Sequence, residues 1–113
     1  MTQHDPLITL GQMLSHAREA IEFARGKTRQ DLEKDRLRHL ALVRLVEVVG
    51  EAASRITKTV QDSYPEIPWR DVINTRNRLI HGYDIVDDEQ LWIILTKDLP
   101  LLVEKLEKYL GAK

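Results

Sequence analysis

The segment from Arg76 to Tyr83 concentrates the side chains best suited to chemistry. An arginine guanidinium stays charged and offers a planar fork of donors to phosphate oxygens, while histidine gains or loses a proton near neutral pH. Together they suffice for metal-free phosphodiester cleavage. His81 would act as general base on a ribose 2′-hydroxyl or general acid on the leaving oxygen, and Arg76 would stabilise charge on the phosphate. A salt bridge and a helix cap are commoner uses of these residue types, so composition leaves both readings open.

The spacing of these residues bears on how they could meet. Five residues on a regular helix place Arg76 and His81 about 140° apart, whereas Tyr83 returns close to the Arg76 stripe. Either the helix unwinds before His81, or the two residues line a groove whose other wall is a second copy of the protein. The second arrangement predicts a symmetric dimer with the site at its interface. Tyr83 either exposes its hydroxyl or packs its ring on the preceding helix.

Apolar residues at helical spacing predict the elements that carry this segment. The first stripe runs from Leu7 to Ala24, opened by Asp5-Pro6 and closed near Gly26. A second, from about residue 28 to 64, contains no proline and no glycine except Gly50, so it predicts one long helix.

Proline and glycine mark the remaining helix boundaries. Pro68 suits the first turn of a third helix that runs towards Gly82, which fits a C-terminal cap. A fourth helix carries leucines from Leu91 to Leu110 and is expected to kink near Pro100. No segment alternates with period two. The sequence therefore predicts an all-α, up-and-down bundle of four to five helices, forming a single domain over residues 1–113.

Composition excludes several classes of protein. The chain has 113 residues, of which 42% are hydrophobic and 31% charged, unlike a disordered chain. The absence of cysteine excludes disulfides, thiolate metal sites and a cysteine nucleophile, and fits a reducing compartment. No apolar run is long enough to cross a membrane, and no signal peptide is apparent. We therefore expect a cytoplasmic protein without a membrane partner.

Charge is distributed unevenly along the chain. Residues 25–44 hold seven basic and three acidic side chains, a local charge of +4, whereas residues 84–98 hold five acids and one lysine, a local charge of −4. This polarity is compatible with nucleic acid at one surface, although a solvated charged helix face is the commoner explanation.

The motif region resembles a known family. The run Ile67-Pro68-Trp69-Arg70-Asp71, followed by Arg76-Asn77-x-x-x-His81-Gly82-Tyr83 and then Leu91-Trp92, resembles the HEPN superfamily. Within it the chain is most similar to HepT-like toxins of MNT–HEPN toxin–antitoxin systems, whose R-x4-H-x-Y motif is complete here. The likeness extends over nearly the whole chain, including Gly50-Glu51-Ala52.

The resemblance implies a homodimeric, metal-independent endoribonuclease whose composite cleft unites the Arg–His pairs of both protomers, with no cofactor. Arg76 and His81 would be catalytic, and Asn77 would orient one of them or the RNA backbone. Tyr83 would receive AMP from a nucleotidyltransferase (MNT-type) antitoxin, as in a type VII-like system. Glu51 resembles an acidic family position and could brace Arg76 or His81, though an ordinary boundary glutamate is equally compatible.

Other residues lead to weaker predictions. Candidate contacts to the RNA backbone are Arg36, Arg38, Arg44 and Arg78. The other histidines, His4, His16 and His39, lack the spacing of a helical metal site and are predicted at the surface or its boundary. Trp69 and Trp92 are predicted in the core.

Two alternative functions remain open at this point. One is a non-catalytic, dimeric helical adaptor or nucleotide-binding partner of a nucleotidyltransferase. The other is a helical module that binds a small molecule between its helices.

Overall fold

A computed structural model describes residues 5–82 and 85–111 of the chain. The described residues form α-helices, one π-helical turn and one short hairpin, which confirms the all-α prediction. The bounds are α1 Pro6–Ala24, α2 Arg29–Lys34, α3 Arg36–Ser54, α4 Lys58–Asp62, α5 Trp69–Ile73, α6 Thr75–Leu79, β1 Ile80–His81, β2 Ile85–Val86, α7 Asp88–Ile93, the π-helix Ile94–Asp98 and α8 Leu99–Leu110.

Helix α1 begins and ends as its sequence predicts. The Asp5 side chain accepts a hydrogen bond from the backbone N–H of Leu7 at 2.9 Å, and Pro6 occupies the first turn, where a missing N–H costs nothing. Gly26 follows the helix with a φ of +75°, in the left-handed region that glycine tolerates best. The middle of the predicted stripe, Leu10, Leu14 and Ala17, is buried where α1 packs on α3 and α8, whereas Leu7 at its start is exposed.

The single long helix predicted over residues 28–64 is divided into α2, α3 and α4. Asp35 has an extended conformation (φ −89°, ψ 92°) and its side chain accepts from Arg38 N, so it ends α2 and caps α3. Thr57 caps α4 in the same manner, through Val60 N. Asp and Thr side chains can replace intrahelical partners of the backbone, which is why such breaks occur without proline or glycine.

Helices α1, α3 and α8 enclose the core, and α5 and α6 pack on α3. The largest fully buried side chains come from α1, α3 and α8 and also from α6, α7 and the π-helix: Leu10, Met13, Leu42, Val46, Val49, Leu79, Leu91, Ile94, Leu102 and Leu106. Gly50 lets α3 approach α5 closely, because a Cβ there would lie 3.0 Å from the carbonyl oxygen of Val72. This close approach positions α5, which leads into the segment that carries Arg76 and His81.

The third predicted helix is shorter than expected. It is divided at Asn74 into α5 and α6 and ends at Leu79, after which β1 pairs antiparallel with β2. His81 lies opposite Ile85 in this hairpin, a strand pair that the sequence did not predict. Gly82 has a φ of +70° but follows β1, so the prediction that it caps a helix is wrong.

The last helical region changes its hydrogen-bonding pattern at the predicted place. The π-helix ends at Asp98, and Pro100 lies in the first turn of α8. Proline has no N–H to donate, so the disturbance next to Pro100 has the expected cause. Among the described residues, no helix combines the length and apolar character needed to cross a membrane.

Candidate active site

Arg76 projects from the short helix α6 where that helix lies against α3. Its Nε donates to Oε2 of Glu47 at 3.2 Å. The Arg76 side chain is 71% exposed, whereas that of Glu47 is 16% exposed. A largely covered carboxylate thus holds one edge of the guanidinium and leaves the rest of the exposed side chain in solvent, where its other nitrogens can donate to an anion.

His81 lies beyond the end of α6, in β1. The helix unwinds before His81, as one of the two sequence-based arrangements required. Its imidazole is 59% exposed, and Nε2 lies 3.2 Å from Oδ2 of Asp87. The hairpin therefore presents the ring at the surface, with one nitrogen next to a carboxylate.

Asp87 connects the hairpin to α7. Its Oδ1 accepts from the backbone N–H of Gln90 at 3.0 Å, and its own N–H donates to the carbonyl oxygen of Leu79 at 2.7 Å. The hydrogen bond from the Gln90 N–H lowers the pKa of Asp87 below its ordinary value, and His81 lowers it further. Asp87 is therefore ionised at neutral pH.

Two neighbours of Arg76 on α6 differ sharply from each other. Asn77 is exposed, and its side chain has no hydrogen bond to any residue that the structure describes. Arg78 donates from Nε and Nη2 to Oε1 of Gln90, at 3.2 and 3.1 Å, and its Nη1 lies 2.8 Å from Oδ2 of Asp98. Arg78 thus ties α6 to α7 and the π-helix, while Asn77 is free to contact a ligand.

Comparison with known proteins identifies the family of the chain that carries these residues. The family model described as "Ribonuclease HepT-like" matches residues 13–109. The chain belongs to the HepT-like ribonuclease family. This confirms the resemblance seen in the sequence and, at the level of the family, ribonuclease activity.

Named relatives agree with this assignment. The chain is 38% identical over 94 residues to "Probable ribonuclease HepT" of Thermococcus cleftensis, covering 80% of this chain and 86% of the relative. It is 29% identical over 107 residues to "Putative RNase MJ1380" of Methanocaldococcus jannaschii, covering 95% and 98% of the two chains. It is also 29% identical over 101 residues to "Putative RNase TTE0752" of Caldanaerobacter subterraneus, covering 89% and 90%. No solved structure shows significant similarity to the chain.

The HepT-like motif ends in Tyr83, which lies outside the described residues. Its predicted modification therefore stays a prediction.

Within residues 5–82 and 85–111, no three His, Asp or Glu side chains are grouped as metal ligands would be.

Glu51, which the sequence suggested as a brace for the HepT-like pair, contacts neither Arg76 nor His81 in this chain. Its Oε1 lies 3.0 Å from Nη1 of Arg44, two turns earlier on α3. Glu47, one turn before Glu51, takes the bracing position against Arg76. The sequence analysis missed Glu47 because only the packing of α6 on α3 brings it to the site.

The four candidate contacts to RNA backbone are placed differently. Arg36 is exposed and its side chain forms no hydrogen bond or ion pair with the described residues, and Arg44 is exposed beside Glu51. Arg38 donates to Asp35 and to the carbonyl oxygen of Phe23 at 2.7 Å, and it also stacks over the Phe23 ring. Arg38 and Arg78 are thus engaged in holding helices together, and the first two remain the accessible candidates.

His39 was predicted at the surface or its boundary, but it is buried under α7. Its Nε2 lies 2.6 Å from Oδ1 of Asp88, the residue after Asp87. Trp69 is buried as predicted and donates from Nε1 to the carbonyl oxygens of Gln61 and Tyr64.

Asp87 is the other site residue that sequence reasoning missed. The local signal was present, because an aspartate three residues before Gln90 at a helix start is typical of an N-cap. What the pattern could not show was the second carboxylate oxygen beside His81, which depends on the hairpin.

Proposed function

We propose that this HepT-like protein is a metal-independent endoribonuclease, that it is the toxin of a type VII-like toxin–antitoxin pair, and that Arg76 and His81 are its catalytic residues. The observation that supports this most strongly is their exposure. Each is held at one edge by a carboxylate and open to solvent at the other, although the adjacent Arg78 is taken up by contacts within the chain. A site for an anionic polymer requires this combination of orientation and accessibility.

The proposed reaction is an internal transfer at one phosphate. An imidazole of His81 removes the proton from a ribose 2′-hydroxyl, and the 2′-oxygen attacks the phosphorus. The bond from phosphorus to the 5′-oxygen breaks, and an imidazolium returns a proton to that oxygen. Arg76 stabilises the negative charge that grows on the phosphate oxygens. The products are a 2′,3′-cyclic phosphate and a 5′-hydroxyl end.

A homodimer would supply two such imidazoles, one as base and one as acid. An exposed face of α3 supports a dimer: Leu37, Leu40, Arg44 and Glu51 share it, at spacings of three, four and seven residues. Leu37 is 81% exposed, unusual for a leucine on a central helix of the fold. Glu47, which holds Arg76, also lies on α3, so a second copy on this face would approach both motif segments.

The dimer can be tested separately from the chemistry. Leu37→Glu combined with Leu40→Glu removes apolar surface without touching the motif. We expect a dimeric wild type and a folded, monomeric double variant in analytical ultracentrifugation, with cleavage lost in the variant. A wild type that is monomeric and still cleaves RNA would contradict the composite cleft.

The proposed partner is a nucleotidyltransferase antitoxin that adds AMP to Tyr83. Tyr83 stands two residues after His81 in the sequence, so each adenylate would add negative charge and bulk next to a site for an anionic backbone. We expect the intact mass to increase by AMP when the protein is incubated with such an enzyme and ATP, and no increase for Tyr83→Phe. A variant modified as fully as the wild type would reject Tyr83 as the target.

The nuclease is distinguished from a helical adaptor by one assay. Purified protein is incubated with RNA in excess EDTA, and the new ends are characterised. The proposal predicts 2′,3′-cyclic phosphate ends and growth arrest when the protein is expressed alone. Intact RNA and unaffected growth would favour the adaptor.

A further inference from the structure

We infer that Asp87 is a positioning residue for His81, holding the ring by Nε2 so that Nδ1 is the nitrogen that exchanges a proton with RNA. This inference rests on the proposed function, since it assigns which imidazole nitrogen performs the proton transfer. Neither the sequence motif nor the family relationship assigns a role to Asp87.

The position of Asp87 is fixed from three directions. Its Oδ1 caps α7 through Gln90 N, its backbone N–H bonds to Leu79 at the end of α6, and Oδ2 faces His81. The next residue, Asp88, is bound by the buried imidazole of His39 at 2.6 Å, which anchors the start of α7 to α3. The carboxylate beside His81 is therefore held in place by α6 and α7, and the start of α7 is held to α3.

The second carboxylate oxygen of Asp87, Oδ2, gives this residue a role beyond helix capping. A helix cap needs only one acceptor, and Oδ1 supplies it. An ionised carboxylate has no hydrogen to donate, so the contact between Oδ2 and Nε2 places the hydrogen on Nε2. The lone pair of the neutral ring then lies on Nδ1, and the carboxylate stabilises the imidazolium that forms when Nδ1 takes up a proton.

Asp87→Asn tests this because asparagine can keep the cap. Its amide oxygen takes the place of Oδ1 towards Gln90 N, so its NH2 group faces Nε2 and donates to it. The hydrogen of the neutral ring is then forced onto Nδ1. The matched control is Asp5→Asn, which makes the same change at the cap of α1, where the aspartate bonds to Leu7 N and faces no histidine within residues 5–82 and 85–111.

Two readouts are used with 15N-histidine-labelled protein, the His81 signals being assigned by their loss in His81→Ala. The first is the ring tautomer at a pH where His81 is neutral. We expect hydrogen on Nε2 in the wild type and in Asp5→Asn, with a shift towards Nδ1 in Asp87→Asn. An unchanged tautomer in Asp87→Asn overturns the inference, whether or not any of these proteins cleaves RNA.

The second readout is the rate. We expect kcat to fall at least about tenfold in Asp87→Asn with little change in KM or melting temperature, and no change in Asp5→Asn. A wild-type protein that cleaves RNA and an Asp87→Asn variant with unchanged kcat would also overturn the inference. If the wild type cleaves no RNA, the proposed function fails while the tautomer comparison still decides the role of Asp87.

Discussion

Two adjacent aspartates at the start of α7 each hold a histidine, and the pairs differ in burial. Asp88 meets His39 at 2.6 Å, with the histidine side chain 11% exposed, whereas Asp87 meets His81 at 3.2 Å with the ring largely in solvent. The same two residue types therefore form a buried structural contact in the His39–Asp88 pair and an accessible contact in the His81–Asp87 pair. Burial, rather than the identity of the pair, separates the structural pair from the pair proposed to act on RNA.

The two arginines of α6 repeat the contrast. Arg78 is fixed by Gln90 and Asp98, while Arg76 forms one hydrogen bond within the described part of the chain, to Glu47, and its side chain is 71% exposed. Two positions apart on a helix, they point to different sides. One side faces the junction of α7 and the π-helix, and the other faces solvent.

The largest effect expected from the arginine comparison is the loss of cleavage rate in Arg76→Ala. Arg76→Ala should lower the RNA cleavage rate by about 100-fold or more, because it removes the charge that stabilises the reacting phosphate. Its unfolding free energy should change by less than about 0.5 kcal/mol, as for other exposed positions. Rates under single-turnover conditions and urea unfolding measure both quantities.

Arg78→Ala is the matched control and should give the reverse pattern. Losing its hydrogen bonds to Gln90 and Asp98 should destabilise the fold by about 1 kcal/mol, a value discounted for partial exposure. The remaining folded protein should cleave at close to the wild-type rate. Equal rate losses in the two variants would remove the distinction between them.

The buried histidine should matter mainly for stability. His39→Ala removes a buried ring and its contact with Asp88, so we expect a loss of about 2 kcal/mol in urea unfolding. His81→Ala should cost less than about 0.5 kcal/mol in the same experiment. If the two substitutions destabilise equally, the burial contrast does not describe their roles.

The smallest expected effect is the pH dependence contributed by Asp87. Its pKa lies below the ordinary 3.8 because the Gln90 N–H and His81 favour the carboxylate. Protonation is then harder in the folded chain than in the unfolded one, so this stabilisation is complete well above the ordinary pKa. It disappears as the pH falls through the lower folded value.

The measurement is the difference in unfolding free energy between wild type and Asp87→Asn. We expect that difference to be constant from pH 7 to about pH 5 and to shrink below about pH 4. A difference that stays constant down to pH 3 would show that the folded carboxylate titrates like a free one.

Patterns local in sequence predicted much of this structure. The apolar stripe of α1, its Asp5-Pro6 start and the leucine stripe of α8 each depend on neighbours within one or two turns, and these elements form as expected. The prediction of one long helix failed where a polar side chain replaced a helical hydrogen-bond partner of the backbone. Asp35 and Thr57 broke the long predicted helix in this way.

The motif could be found from sequence, but its supports could not. Arg76 and His81 are recognisable by type and spacing, whereas Glu47 lies 29 positions from Arg76 along the chain. The contact between Asp87 and His81 depends on a hairpin whose two strands have two residues each, which is too short to leave an alternating pattern in the sequence. Partners of this kind are set by tertiary packing, which no single-sequence period records.

The most direct test of the central claim is RNA cleavage by purified His81→Ala in excess EDTA, beside the wild type and His39→Ala. We predict cleavage by the wild type and by the folded fraction of His39→Ala. His81→Ala should show none while melting at the wild-type temperature. Cleavage by His81→Ala at the wild-type rate would contradict the claim that this exposed imidazole performs the reaction.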